Sequence, residues 1–458
     1  MTRDGNSELQ QLFAVSGTAE LIADGVRSTA TALHHGANDW SRALRRAGIA
    51  RGDRVLCALP NGRAFAQLLV AALTDGVTLV PVPAHESLEP LLEQVDARLG
   101  VAMAATHPAF AVPSPTGGPP SVALTPRRST VRTDGVPFLL RSSGTTGEPQ
   151  WIGLSDAGIM SVLASHLPLL AVDGASVLAA LPWHHAFGLV LGLLPALLRS
   201  RRIVTTSRLL RTPDAIVAEA AAHAASHMCM VPVTAARLAA MPDGLALLLR
   251  LQGGLVGGAA IDLPLAAILR GTRLRVGYGQ TEASPGVMAG EPGEFADRLI
   301  GRPVGCEVRI ENDGVLAFRG PNAYAGNWAA GAFTWLDRGR WQRTGDIVAA
   351  RDGLFYFIGR NAATFKLSNG RSVDAPQLER QIQQQVLTVA DVVLTTTDTR
   401  TIDILYSTHD DTPLPLGMVA SPLGALKGLV GRAHLVPRTA WVRTGKGEID
   451  RRRLPQIP

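Results

Sequence analysis

Three features of the 458-residue chain predict an α/β fold in two parts. They are a strand–helix–strand run between residues 52 and 82, alternating apolar strands and helices from 136 to 290, and a switch to short β-like runs around 300–358. In the first, Gly52 to Asn61 reads as a buried strand entering a turn, and residues 63–75 repeat apolar side chains at helical spacing (Phe65, Leu68, Leu69, Ala72, Leu73). Val77 to Val82 then returns as a second apolar strand, so the unit is a parallel βαβ. The Pro/Gly/Ser-rich stretch 113–120 reads as an exposed loop, and 213–225 as an Ala/Leu-rich helix. Beyond residue 300, the runs at 308–310, 315–318 and 354–357 are separated by Gly, Asn and Asp turns, which predicts antiparallel hairpins. A boundary near Arg360 then divides a large part, 1–359, from a small one, 360–458. The small part mixes a helix at 376–387 with strands at 391–396 and 402–407, an α+β pattern.

Composition narrows the function classes. Apolar residues make up 46% and charged residues 18%, so the chain has ample material for a core and is not disordered. A formal charge of +6 on this length is mild, and no run of basic residues points to nucleic acid. It suits attraction of an anionic small molecule or an acidic carrier. Cys57, Cys229 and Cys306 are scattered without metal or disulfide spacing, which fits a reducing, cytoplasmic setting. The start of the chain has no apolar run of the signal-peptide kind. The most apolar stretch, 175–198, is interrupted by Pro182, His184, His185 and Pro195, so no membrane span is expected. Of 44 basic side chains only Lys366, Lys427 and Lys446 are lysines, which singles out the positions where lysine is kept.

The chemistry-bearing segments come in a fixed order. After the apolar run Val136 to Leu140 comes Arg141-Ser142-Ser143-Gly144-Thr145-Thr146-Gly147-Glu148-Pro149. Its hydroxyls and backbone N–H groups suit phosphate oxygens, and Gly144 and Gly147 permit a tight path; an ordinary polar turn between strand and helix is the plain alternative. No Gly-Lys-Ser/Thr follows, so it is not a Walker loop. Tyr278-Gly279-Gln280-Thr281-Glu282 combines a ring for a purine, a hydroxyl for a phosphate and a carboxylate for Mg²⁺. Thr344-Gly345-Asp346 sets a short acid in a turn, suited to a diol such as ribose. Gly359-Arg360 and Thr444-Gly445-Lys446 complete the series.

In this order, and with Pro182-Trp183-His184-His185-Ala186-Phe187-Gly188 between them, the segments resemble the adenylate-forming superfamily of acyl-CoA synthetases, peptide-synthetase adenylation domains and firefly-type luciferases. The resemblance runs from about residue 50 to 454. It implies a large N-terminal domain of α/β layers with a small β barrel, and a small mobile α+β C-terminal domain that rotates about residues 360–362. It also implies roles. Ser142, Ser143, Thr145 and Thr146 would hold the ATP phosphates, and Tyr278 and Gly279 would flank adenine. Gly257, Gly258 and Ala259 would line adenine and the acyl group. Thr281 would contact the α-phosphate, Glu282 would bind Mg²⁺, and Asp346 with Arg360 would fix the ribose. His185 would stand at the acyl pocket, and Lys446 would bridge the acid's carboxylate and the α-phosphate. The implied reaction is activation of a carboxylic acid as acyl-AMP, with transfer to a thiol of CoA or an acyl carrier protein.

The chain also departs from the pattern. The loop usually continues Pro-Lys-Gly but here reads Pro149-Gln150-Trp151, which removes a cation from the pyrophosphate end. The hinge position, commonly Asp or Lys, is Ala362. Pro437 and Lys446 are nine positions apart, about three more than the pattern implies. Lys366 to Gly370 resembles a loop of long-chain acyl-CoA synthetases, with an exposed hairpin as the alternative. Residues 182–193 hold no carboxylate to pair a substrate ammonium, so a fatty, aromatic or other non-cationic acid is favoured over an α-amino acid. Three readings stay open beside a CoA ligase: a carrier-loading or amino-acid-adenylating ligase, an enzyme adenylating a non-carboxylate oxyanion, and a non-catalytic nucleotide-binding relative.

Overall fold

The computed structural model describes residues 7–15, 19–102, 131–142, 150–207, 212–337, 339–360, 364–367, 372–396, 400–444 and 447–455. The chain forms two compact units, Met1–Val308 with Phe318–Gln342 and Arg309–Ala317 with Arg343–Pro458. The architecture is mixed α/β with a large and a small part, as the patterning predicts.

The first unit is built outward from the predicted βαβ. Arg54–Ala58, buried throughout, pairs in parallel with Thr78–Pro81 on one side and Leu99–Ala102 on the other. The crossover helix Arg63–Asp75 buries Phe65, Leu68, Leu69, Ala72 and Leu73, the residues whose spacing predicts it. Phe138–Arg141 adds in parallel beside Thr78–Pro81, and Trp151–Leu154 then pairs with it antiparallel. Gly326–Ala329 and Ala332–Trp335 complete a seven-stranded sheet. A second sheet has the order Val26–Ser28, Glu20–Ala23, Arg202–Thr205, Ser176–Leu178. Single bridges, Val177 to His227 and His227 to Gly253, lead from it to a ladder of Leu255–Gly257, Arg275–Tyr278, Met288–Ala289 and Leu299–Pro303.

One buried cation ties this unit together. Arg54 has no exposed surface, yet its guanidinium donates to the carbonyls of Val95 (2.7 Å), Val131 (2.9 Å) and Asp96 (2.9 Å). It also pairs with the Asp96 carboxylate at 3.0 Å and lies 4.1 Å from the Trp328 ring centre. Burial lowers its pKa, and the carboxylates of Asp96 and Asp53 oppose that shift. Removing it strands buried carbonyls, each costing about 1–3 kcal/mol. Arg54→Leu is therefore expected to lower stability by about 3–5 kcal/mol in urea unfolding. A loss below about 1 kcal/mol would show that water replaces these bonds freely.

In the second unit the hairpin Gln342–Arg351 and Leu354–Arg360 is antiparallel, as the turn residues predict. Helix Ala375–Gln385 packs Leu378 and Ile382 onto the sheet of Val389–Thr395, Ile402–Thr408 and Val430–Leu435. The first two of these strands are antiparallel and the last two parallel. This helix and the first two of these strands fall within two residues of the expected 376–387, 391–396 and 402–407.

Candidate active site

The hydroxyl-rich segment connects two antiparallel strands. Arg141 stands opposite Trp151 across antiparallel strands, and the Ser142 N–H donates to the Gln150 carbonyl at 2.8 Å. The alternative of a turn between strand and helix is thus corrected. Trp151–Leu154 is a buried strand joining two others, and the helix Asp156–Leu170 starts only after it, capped by the Ser155 hydroxyl accepting from the Gly158 N–H. Ser143, Gly144, Thr145, Thr146 and Gly147 lie outside the described residues. Ser142, at the root of the loop, is half-buried.

A polar cluster gathers at the same root. Arg141 is paired with Glu86, and its guanidinium lies 5.9 Å from the Trp151 ring centre. His184 and His185 follow in the turn before a π-helical segment, Phe187–Leu193, their ring centres 4.4 Å apart. Such wide turns are uncommon and are frequent at functional sites. Burial pushes the His184 imidazole down to about 3, and the positive neighbours His185, His85 and Arg141 push the same way. His184 is therefore neutral at physiological pH. His185, the imidazole assigned to the acyl pocket, is the exposed member of the pair. Arg141, Glu86 and His85 were not singled out from sequence, because Glu86 precedes Arg141 by 55 positions and only the fold joins them.

The second wall is the end of the Leu255 ladder. Leu255–Gly257 runs parallel to Arg275–Tyr278 with Gly257 opposite Gly277, so Gly258 and Ala259 leave one strand beside the point where Gly279 leaves the other. Thr281–Ala283 forms a short 3-10 turn, in which Thr281 and Glu282 are half-buried, as is Tyr278 before it. At Gly279 a Cβ would overlap the Pro285 carbonyl oxygen, so only glycine lets the chain pass. The turn is tied to the loop hairpin: the Glu282 carbonyl accepts from Tyr324 N–H at 2.9 Å, and the Gly153 carbonyl accepts from Ala325 N–H at 2.7 Å. The first unit thus links the root of the hydroxyl-rich loop with the turn bearing Tyr278, Thr281 and Glu282.

In the second unit Asp346 is buried and stands opposite Arg360 in the hairpin register. The turn expected at Thr344-Gly345-Asp346 is corrected: all three residues lie inside the strand Gln342–Arg351, where Gly345 takes φ 75° and the Thr344 hydroxyl accepts from the Asp346 N–H at 3.1 Å. The two residues assigned to ribose are therefore cross-strand neighbours. Lys446 and Ala362 lie outside the described residues, as does the stretch 368–371. Flanking these residues, the Thr444 N–H donates to Glu448 O at 2.8 Å and the Gly447 N–H to Thr444 O at 2.9 Å.

An apolar cleft lies between the π-helical segment and the strand Ser176–Leu178. Leu178, Ala180, Leu191, Gly192, Met228 and Cys229 line it, with His227 as its one ionisable nitrogen base and no acidic or cationic side chain. Burial lowers the pKa of His227, which keeps it neutral. Burial also raises the thiols of Cys57 to about 12 and of Cys229 and Cys306 to about 11, so none is a ready nucleophile. Among the described residues no helix is long and apolar enough to cross a membrane, and no group of three or more His, Cys, Asp or Glu side chains could hold a metal.

Comparison with known proteins gives this arrangement a family. The model of the AMP-binding enzymes matches residues 11–326. A feruloyl-CoA synthase from Amycolatopsis sp is 27% identical over 398 residues, covering 77% of this chain and 80% of the relative. A sulfoacetate–CoA ligase from Cupriavidus necator is 24% identical over 402 residues, covering 77% and 76%. Among solved structures, ATP-bound MatB from Rhodopseudomonas palustris superposes with a TM-score of 0.80 at 18% identity, covering 97% of each chain. The o-succinylbenzoate coenzyme A synthetase of Bacillus subtilis with AMP gives 0.76 at 17% identity, covering 98% of each. At those identities the structures show a common fold, and the family match extends it to descent: the chain belongs to the AMP-binding enzyme family.

Proposed function

We propose that the protein activates a carboxylic acid with ATP as acyl-AMP and passes the acyl group to the thiol of CoA. The observation that carries this reading is the tie between the loop hairpin and the Tyr278–Glu282 turn, which supports a single nucleotide site in the first unit. The similar proteins named as CoA ligases support CoA as the acceptor.

Each step balances on ordinary groups. A carboxylate oxygen attacks the α-phosphorus of ATP, the O–P bond to the β-phosphate breaks, and pyrophosphate leaves. The CoA sulfur then attacks the acyl carbon, AMP departs with the electron pair of the C–O bond, and the thiol proton passes to solvent. The first step brings two anions together, so its barrier is charge repulsion and misalignment. The hydroxyls of Ser142, Ser143, Thr145 and Thr146 would bind the phosphates, while Thr281 would hold the α-phosphate. Tyr278 would stack on adenine, and Gly258, Gly279 and Ala259 would let the base approach backbone. Asp346 and Arg360 would hold the ribose, and Lys446 would align the two anions.

Glu282 fits Mg²⁺ by its chemistry. A hard carboxylate suits an ion that keeps waters and takes its other ligands from phosphates, rather than an all-protein cage. When bound, the ion would neutralise phosphate charge. Glu282→Gln is expected to shift the Mg²⁺ dependence of pyrophosphate release upward by about tenfold or more. An unchanged titration would remove that role.

The acid is proposed to be fatty, aromatic or otherwise non-cationic. The apolar cleft beside the His184–His185 turn has no carboxylate to receive an ammonium, and burying one unpaired is costly. A panel of acids assayed for acyl-CoA formation tests both halves of the proposal. A thioester formed with one neutral-tailed acid supports it; turnover confined to α-amino acids would overturn the acid class. Acyl-AMP that accumulates with CoA present but discharges onto a carrier thiol would overturn the acceptor.

A further inference from the structure

We infer that the acid carries an ether or carbonyl oxygen in the part of its acyl group that enters the apolar cleft, and that the Trp183 indole N–H binds this oxygen. The inference rests on the acid-activating reading of the protein, with the acyl group in the cleft beside the His184–His185 turn. Three side chains along that cleft carry an N–H or S–H group: Trp183, His227 and Cys229. Two of them are already engaged. The His227 ring meets the Ser226 hydroxyl at 2.9 Å through Nδ1 and bonds the Ala171 carbonyl, and the Cys229 thiol donates to the Leu191 carbonyl at 3.8 Å. The Trp183 Nε1–H is buried and has no hydrogen-bond partner among the described residues. Backbone donors beside the cleft are also engaged: Leu178 N–H meets the His227 carbonyl at 2.9 Å, and Met228 N–H meets the Gly253 carbonyl at 3.2 Å.

The indole is held in place. It is 1% exposed, and its ring lies 5.4 Å from that of Phe65. Asn61 fixes the main chain on both sides of Leu181 and Trp183. Its side-chain amide donates to the Leu181 carbonyl at 2.8 Å, and its side-chain oxygen accepts from the Trp183 N–H at 2.9 Å. A large ring packed in this way does not turn its N–H out to water, so the donor is costly until a ligand oxygen meets it. That oxygen has to be one that only accepts. A hydroxyl brings a donor of its own, and the side chains of the cleft offer it no free nitrogen or oxygen acceptor. A charged group would be buried without a partner. An ether or carbonyl leaves nothing unmatched.

The test is kcat/KM for thioester formation by the full-length protein on isosteric pairs of acids: methoxy against ethyl on an aromatic acid, and oxo against methylene along a straight-chain acid. On the scaffold that turns over, the oxygen-bearing member is expected to be favoured about tenfold to a hundredfold, although it costs more to remove from water. Trp183→Phe keeps an aromatic ring and removes the donor, and is expected to bring that ratio to one or below. A purely structural role for Trp183 would lower both members alike and leave the ratio unchanged, which would overturn the inference. The wild-type comparison stands even if the variant does not fold. Turnover that favours the hydrocarbon member, or a hydroxyl in place of the methoxy group, would overturn the inference and leave the acid-activating reading intact. Protein that binds ATP and turns over no acid of either scaffold would remove that reading, and this inference with it.

Discussion

Lys446→Ala is expected to lower the rate of acid-dependent pyrophosphate release by about a hundredfold to a thousandfold, while ATP affinity changes by no more than a few-fold. The reasoning is electrostatic. In the ground state the proposed loop hydroxyls and the metal ion would already hold the triphosphate, so one more ammonium adds little. In the transition state a second anion bonds to the α-phosphorus, and a point charge between the two then has its greatest effect. A compact ammonium on a flexible stem suits that position better than a planar guanidinium, and this chain keeps lysine there while using arginine almost everywhere else. Stopped-flow measurement of acyl-AMP formation at saturating ATP separates the two effects. A variant that adenylates at the wild-type rate would show that the turn between Thr444 and Glu448 serves the structure of the second unit only.

Gly279→Ala is expected to cost about a hundredfold in kcat/KM and about 1–3 kcal/mol in stability. The new methyl would overlap the Pro285 carbonyl oxygen, so either that backbone or the Tyr278–Glu282 turn must move. Both routes displace the ring, the hydroxyl and the carboxylate together, since they share five consecutive residues. Gly417→Ala is the control: it lies in the helix Leu416–Ala420 with no atom within 4 Å of the added carbon, and is expected to be neutral or stabilising. Thermal unfolding with kinetics distinguishes the cases. Full activity in Gly279→Ala would mean that the turn has slack which its close approach to Pro285 does not suggest.

The sequence was most legible where local physics and tertiary structure agree. The 63–75 helix and its flanking strands follow from apolar spacing alone, because the same residues that form the pattern fill the core. Of the hairpin Gln342–Arg351 and Leu354–Arg360 only the run 354–357 is legible in the sequence, because Thr344, Gly345 and Asp346 look like a turn. Legibility failed at the loop root. Trp151–Leu154 is too short to carry a period, and its partner Gly326–Ala329 lies far along the chain, so nothing local distinguishes a strand from the start of a helix. The π-helical turn at Phe187–Leu193 has no sequence signature and reads as a plain apolar helix start. In the site, the residue types of the Tyr278–Glu282 and Thr344–Asp346 segments were visible because their chemistry is dense in a few positions. The Arg141–Glu86 pair was not, since each half alone is an ordinary surface charge.

This chain couples ATP to the activation of a carboxylic acid. The most direct test is pyrophosphate release with ATP and Mg²⁺ across fatty, aromatic and amino acids, with and without CoA. The account predicts release that depends on one class of non-cationic acid, with AMP and a thioester appearing in equal amounts once CoA is present. Pyrophosphate release absent with every acid, from protein that binds ATP normally, would contradict it.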